Sequence, residues 1–557
     1  MFALFRQTRF QLLLVWAGLL LAFPPINLCW LAFFALIPLI RLILKPERER
    51  WLYVHLWICG TLFWICEAHF VRFPHPVNYV LLGGLGCYLG VYLPLFVAIA
   101  RRWMHGVLPR ILSREMTEDD RSMAALWVIP LAWAACDILR YWMLTGYFMS
   151  SLCHAFYRWT FFIQTADIFG EWGTTMTVVF LACCLATCVR GRKPRWTAIC
   201  AAVLMAGFIT SYGFLRQIPL EPDRGCIALL QGNIPAQLSV DEQMTRNTEM
   251  QYLELVQKAK AKTDRPVDLL VFPESIYRRM IVFAEENARV PIGLIDEATG
   301  KPMTEAVFRE RLAQVASSTQ RQFASFVAYC GRPVVTGCGM DVYTADGVKS
   351  YNSALYMRPN ELVPQPGYSK MHLVPFGEYV PFLRTLKRLF PSVERLSPIG
   401  AGGEMGERAV AFTFPTKDGE LTASMSICFE SAVGRLLRRQ LAALRAQGIE
   451  PDFFLNVTNN GWFGQSNESK LHLACGVFRA VENRKPVLVA ANYGISANID
   501  GNGVIRQQIP TGQPGVLLAA VPPDPRTTLF SRWGHVFLWI PLVFAGAAFP
   551  FGRRSAK

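Results

Sequence analysis

The chain has 557 residues, of which 52% are hydrophobic and 17% charged, and it carries a formal net charge of +15 and 15 cysteines. It is longer than one ordinary domain, and its balance of residues points to a membrane protein. The positive charge gathers in short loops beside apolar runs, which argues against a nucleic-acid surface.

Apolar runs recur through the first 216 residues, near the roughly 20 residues that a helix needs to cross the hydrocarbon core. Phe10 to Phe23 and Leu28 to Leu44 come first, joined by Pro24-Pro25-Ile26-Asn27. Tyr53 to Phe70, Tyr79 to Ala100, Met123 to Leu144, Trp172 to Val189 and Trp196 to Leu215 follow, and an eighth, Trp533 to Phe549, stands alone. The first run passes into the second without a small-residue cleavage site and reads as a retained anchor.

Lys and Arg collect at Arg6 and Arg9, Lys45 to Arg50, Arg101 to Arg121, Arg190 to Arg195, and Arg553, Arg554 and Lys557. Juxtamembrane positive charge stays in the cytoplasm, so every loop agrees with one topology. The expected division is a membrane part over 1–216 with seven spans, an outer catalytic part over 217–526, and a last span with a cytoplasmic tail over 527–557.

Nine cysteines lie in or beside the expected spans and Cys153 in an outer loop. Cys226, Cys330, Cys338, Cys428 and Cys475 lie in the outer part, an odd number that leaves at least one unpaired there. No CxxC pair has a matching His or Cys pair, so no metal or cofactor is expected.

In the outer part, strand-length apolar runs alternate with longer amphipathic stretches. Strands are expected at Cys226 to Gln231, Leu269 to Phe272, Pro333 to Thr336, Ser353 to Met357, Ala423 to Ile427, Phe453 to Thr458 and Val487 to Ala491. Helices are expected at Glu242 to Lys262, Glu305 to Gly331 and Leu471 to Arg484. The pattern is α/β, and such folds place reactive groups at strand ends.

Three segments carry reactive side chains. VFPESIY delivers Glu274, YSKMHLVPFGEYVPF delivers Lys370 and Glu378, and SICFESA delivers Cys428. A thiol attacks as its thiolate and needs a base, which a carboxylate can be; a lysine can hold the oxyanion that follows. Seen alone, a Glu after Pro is more often a solvated loop residue and a lone Cys more often core. The three together, in the order Glu, Lys, Cys, are another matter.

The set resembles the nitrilase superfamily of carbon-nitrogen hydrolases, and the run K-x-x-L-V-P-F-G-E-Y-V-P with Asn456 to Gly464 (NVTNNGWFG) resembles its apolipoprotein N-acyltransferase family. The resemblance implies an αββα sandwich beside an eight-span helical part. It assigns Glu274 as base, Lys370 as oxyanion donor, Glu378 as second carboxylate and Cys428 as nucleophile, with the Phe429 N–H helping at the oxyanion. It further implies a phospholipid acyl donor, a diacylglyceryl-prolipoprotein acceptor and a bacterial inner membrane with the catalytic part facing the periplasm. Phe429 stands where the family usually has Tyr, Ser239-Val240 where it has Trp, and Arg279 to Thr304 is longer than usual.

Several roles stay open at this level. Glu430 either orients Lys370 or the amine, or is a solvated loop carboxylate. Asn352 either positions the lysine loop or is a structural turn residue. Asp137 and Arg140 share a helix face and either brace the helices or meet a lipid headgroup. Pro381-Phe382-Leu383 and Gly461 to Gly464 are either mobile arms or ordinary packing. An alternative activity keeps the fold and lets water resolve the thioester, as in an amidase or nitrilase.

Overall fold

The computed structural model describes residues 7–190, 193–237, 241–291, 294–296, 300–365, 367–379 and 403–549. The N-terminal part is helical: α1 (Thr8–Ala22), α2 (Leu31–Ala35), α3 (Ile37–Leu44), α4 (Leu52–Glu67), α5 (Asn78–Gly90), α6 (Tyr92–Arg102), α7 (Leu108–Ile111), α8 (Glu118–Trp142), α9 (Ala166–Thr187) and α10 (Trp196–Arg216). Among the described residues, four helical stretches are long and apolar enough to cross a membrane: Asn78–Ile111, Glu118–Trp142, Phe162–Thr187 and Trp196–Arg216. The other four expected spans fall on shorter apolar helices, Thr8–Ala22, Leu31–Leu44, Leu52–Glu67 and Val536–Ala547. Helix α8 begins five residues before the expected Met123 because Thr117 and Asp120 cap each other's backbone N–H groups in a capping box.

Among the described residues the outer part holds a two-stranded pair, Ile295–Asp296 with Lys301–Pro302, and two large sheets. One contains β1 (Arg224–Gln231), β2 (Leu269–Val271), β3 (Tyr277–Ala284), β4 (Val334–Thr344), β5 (Gly347–Met357) and β6 (Tyr368–Ser369), with helices α11 (Glu242–Ala261) and α12 (Glu305–Cys330) between its strands. The other contains β7 (Ala411–Thr416), β8 (Gly419–Ile427), β9 (Phe453–Thr458), β10 (Val487–Ala491), β11 (Ser496–Ile499) and β12 (Ile505–Ile509), with α13 (Gly434–Ala446) and α14 (Glu468–Asn483). Strand β13 (Gly515–Val521) then returns to the first sheet, whose order is β6-β5-β4-β2-β1-β13 with β3 also on β4; the second runs β7 to β12 in sequence. Helices α15 (Leu529–Trp533) and α16 (Trp539–Ala547) close the described chain.

Alternate residues of each strand face opposite ways, and this sets the layers. Ile227, Leu229, Val271 and Val335 of the first sheet meet Met425, Ile427, Leu455 and Val457 of the second in a dry inter-sheet core. Ala228, Leu230 and Leu270 turn to the opposite face, against Tyr252 and Val256 of α11 and Phe323 and Val327 of α12. On the far face of the second sheet, Phe454, Val487 and Val489 pack with α13 and α14. The layers are therefore αββα. That last core does not stop at α14: Leu471, Ala474 and Phe478 share one cluster with Val128, Ile129 and Val178 of the helical part.

Polar side chains fasten the same junction. Fully buried Arg479 of α14 donates to Glu171 of α9 (2.8 Å) and Glu482 (3.1 Å). Arg484 donates to Asp167 (2.6 Å) and Gln164 (2.7 Å), and Arg216 of α10 donates to the same Asp167 (2.6 Å). Helix α9 kinks at Gly170, whose φ is +66° and where a Cβ would come within 2.5 Å of the Phe530 ring. The expected strands and the three expected helices are all present; β3, β6, β7, β11 to β13 and α13 were not expected.

Candidate active site

The nucleophile segment begins where β8 ends. Strand β8 runs parallel to β9, Ile427 opposite Val457, and the chain turns into a short 3₁₀ stretch from Cys428 to Ala432. Cys428 has φ +54°, a left-handed conformation that costs a non-glycine residue roughly 1–3 kcal/mol. Its carbonyl oxygen accepts from Asn456 Nδ2 (3.1 Å) and lies 3.1 Å from His472 Nε2 and 3.3 Å from the Ser431 hydroxyl. His472 Nε2 is also 2.5 Å from Ser431 Oγ, while its Nδ1 faces Asn460 Nδ2 at 3.3 Å. An amide can only donate there, so Nδ1 accepts and Nε2 carries the proton toward Cys428.

Glu430, expected as a loop carboxylate or an orienting group, is fully buried, so the solvated reading is corrected. Its two oxygens accept from the N–H groups of Ile427 (2.7 Å), Met371 (2.6 Å) and His372 (2.9 Å) and from the Tyr368 hydroxyl (2.7 Å). It thus ties the cysteine turn to the backbone that follows Lys370. Burial pushes its pKa up to about 7, against the pull of these donors.

Lys370 extends the β6 edge, its N–H donating to the Asn352 carbonyl of β5 (2.8 Å). The residue is 1% exposed, and its ammonium lies 2.7 Å from Glu378 Oε1 and 3.4 Å from Glu274 Oε1. Burial works against that charge, yet Glu378 and Glu274 outweigh it and hold the Lys370 pKa well above the ordinary lysine value. The same ion pair holds Glu378 below the usual carboxylate range although burial opposes it. Asn352, read either as positioning the lysine loop or as a structural turn residue, lies inside β5 rather than in a turn, and its Nδ2 donates to Glu274 Oε1 (2.8 Å) and Glu378 Oε1 (3.4 Å).

Glu274 follows β2, and its second oxygen accepts from the Asn459 N–H (3.0 Å). Gly337 permits this approach, since a Cβ there would sit 2.5 Å from the Glu274 Cα. Burial and the Glu274 charge push the Cys428 thiol up, with Lys370 pulling the other way. A carboxyl group, a thiol and a fixed cation converge, an arrangement that can support acyl chemistry through a covalent intermediate.

The helical part reaches this site. Phe429 packs against Phe148 (ring centroids 5.6 Å apart) and stacks near His372 (6.4 Å). The loop bearing Phe148 is held by Arg140, which donates to the carbonyls of Tyr147 (2.9 Å) and Met149 (3.0 Å), to Ser151 (2.9 Å) and to Asp137 (3.2 Å). In the Gly461 to Gly464 segment, Phe463 meets Phe70 edge-on at 5.4 Å. Pro381-Phe382-Leu383 and Ser239-Val240 lie outside the described residues.

His472, Ser431 and Tyr368 were missed from sequence. His472 sits four residues after Glu468 on a helix, a spacing that reads as an ordinary surface pair. Among the described residues, Cys153, His154 and Glu171 are close enough to share a cation, but the Glu171 carboxylate is already held by Arg479.

The family profile described as carbon-nitrogen hydrolase matches residues 226–528, and that of the apolipoprotein N-acyltransferase N-terminal domain matches residues 17–184. A protein of Geobacter metallireducens called apolipoprotein N-acyltransferase is 29% identical, covering 98% of this chain and 96% of its own. One of Rhodopirellula baltica with the same name is 27% identical over 94% of this chain and 93% of its own. A solved structure of a mutant Nesterenkonia amidase from the nitrilase superfamily is similar at TM-score 0.34 and 14% identity, covering 55% of this chain and 94% of that one. With more than half of its length matched, the chain belongs to the carbon-nitrogen hydrolase family.

Proposed function

We propose that this protein is an apolipoprotein N-acyltransferase, which moves an acyl chain from a phospholipid to the α-amino group of the S-diacylglyceryl cysteine at a lipoprotein N-terminus. The observation that carries it is Cys428 on a strained turn beside Glu274, Lys370 and Glu378, in a chain whose helical part packs into the same core. Relatives of that name align along nearly the whole chain.

In the first half-reaction Glu274 takes the thiol proton and Cys428 attacks the ester carbonyl. Lys370, held by Glu378 and Asn352, faces the oxyanion, and the Phe429 N–H is its second donor. The ester C–O bond breaks, the thioester remains, and the lysophospholipid leaves with the proton from Glu274. In the second half, the lipoprotein amine attacks the thioester, Glu274 removes its proton, and the thiol is restored.

Both substrates are held in a bilayer by their acyl chains, so a site joined to membrane helices reaches them in place. We assign eight spans, a membrane part over 1–216, an outer catalytic part over 217–526 facing the periplasm of a bacterial inner membrane, and a closing span with its tail over 527–557. The Lys and Arg distribution supports this orientation.

Labelled phospholipid and a diacylated lipopeptide added outside right-side-out membrane vesicles test both points. Wild type should give triacylated peptide without permeabilisation, and Cys428→Ala none. Transfer by Cys428→Ala rejects the mechanism, labelled free fatty acid without peptide acylation favours a hydrolase, and a need for permeabilisation reverses the orientation.

A further inference from the structure

Helix α13 starts just beyond the cysteine turn and carries Arg435, Arg438 and Arg439 in its first turns. Their spacing puts all three on one side of the helix. The Arg435 guanidinium lies over the rings of Trp142 (4.9 Å), Phe148 (5.5 Å) and Tyr141 (5.6 Å). Tyr141 and Trp142 end the long apolar helix α8, and beyond them Trp142, Met143 and Leu144 are exposed. On the other flank the Arg438 side chain lies against Gly534, between exposed Trp533 and exposed Val536 and Trp539. Exposed tryptophans beside apolar helix ends mark the level where water meets lipid, the level of the phosphate layer.

Among the described residues no carboxylate pairs with Arg438 or Arg439. Burial works first against the charge on both Arg435 and Arg438, and neighbouring Arg439 adds repulsion to each. A guanidinium fork matches a phosphate through two parallel N–H bonds, which a lone lysine cannot offer. The link to the chemistry is short: Phe148, under Arg435, touches both Phe429 and His372 (5.4 Å), the neighbours of the nucleophile and of the lysine loop.

We propose that Arg435, Arg438 and Arg439 bind the phosphodiester of the acyl-donor phospholipid and so set its ester beside Cys428. This rests on the acyl-transfer reading above and names the group by which the donor is held.

The test follows formation of acyl-Cys428 in detergent from two donors with the same chains, a phospholipid and a diacylglycerol. In each case the thiol displaces an alcohol, lysophospholipid or monoacylglycerol, so only the phosphate differs. Wild type should favour the phospholipid at least tenfold. Replacing all three arginines by glutamine should bring that ratio toward one, and Arg435→Lys with Arg438→Lys and Arg439→Lys should leave it between. A merely structural defect would lower both rates and keep the ratio, which overturns the proposal, as does a wild type that does not discriminate. If the triple variant does not fold, Arg438→Gln with Arg439→Gln carries the same expectation. Wild type that forms no acyl-Cys428 from either donor would overturn the acyl-transfer reading itself, a result distinct from a lost ratio.

Discussion

The left-handed backbone at Cys428 exists because several groups hold it there. Three donors converge on its carbonyl, and each hydrogen bond contributes about 0.5–1.5 kcal/mol, together enough to offset the strain. His472 is the donor from outside the turn that no motif announced. His472→Gln retains an N–H in reach and should keep acyl-enzyme formation within about tenfold of wild type, whereas His472→Leu should lose roughly 100-fold, the equivalent of about 3 kcal/mol. Burial lowers the His472 pKa to about 4 from 6.5. The unfolded chain therefore takes up a proton below pH 6.5 that the folded protein refuses until near 4. Stability from this group is complete above pH 6.5 and is lost as the pH falls toward 4. Glu430 and Glu468, both raised to about 7 by burial, act in the opposite sense, so the comparison is between variants. Taking the pH from 6.5 to 4 should change Tm less unfavourably in His472→Gln than in wild type; equal changes would remove His472 from this role. Glu274, Lys370, Glu378 and Cys428 were legible from sequence because each stands in a distinctive local run. The role of Glu430 was not, because a carboxylate beside a cysteine gives no sign that four donors will close around it in the interior.

Helix α14 joins the two parts of the molecule. Nearly all of its residues are buried, the second sheet on one side and α9 on the other, so its few charged groups must be paired. Arg479 answers two carboxylates, Glu171 and Glu482. Arg479→Leu leaves both without it and should cost about 3–5 kcal/mol, seen as a clear fall in Tm in detergent, while adding Glu171→Leu should restore part of it. A single variant with wild-type Tm would show that the junction rests on apolar packing alone. Strands such as Phe453–Thr458 and Val487–Ala491 were legible because continuous burial demands continuous apolar sequence. Strands β7 and β12 were not: their pairing lies along sheet edges, where Thr, Arg and Gln alternate with apolar residues. Helix α13 carries its signal in Leu437, Leu441 and Leu444 at helical spacing rather than in a continuous apolar run, and the arginines between them mask it.

At the scale of the molecule, an αββα domain of hydrolase type shares a core with apolar helices, and a ring from the helical part touches the residue beside the nucleophile. Span length was the least legible feature, since a hydropathy run does not show that the stretch from Leu31 folds as two short helices meeting at Leu36. The proposed reaction requires that the acyl chain rest on Cys428 between donor and acceptor. The most direct measurement is the intact mass of the protein in a single turnover: first with phospholipid alone, then chased with diacylated lipopeptide. The expected result is a mass increase of one acyl chain, mapped to Cys428, that persists in water and disappears on the chase as triacylated peptide forms at the same rate. Peptide acylated without that intermediate, or an acyl-enzyme that water discharges as fast as the peptide does, would contradict the account.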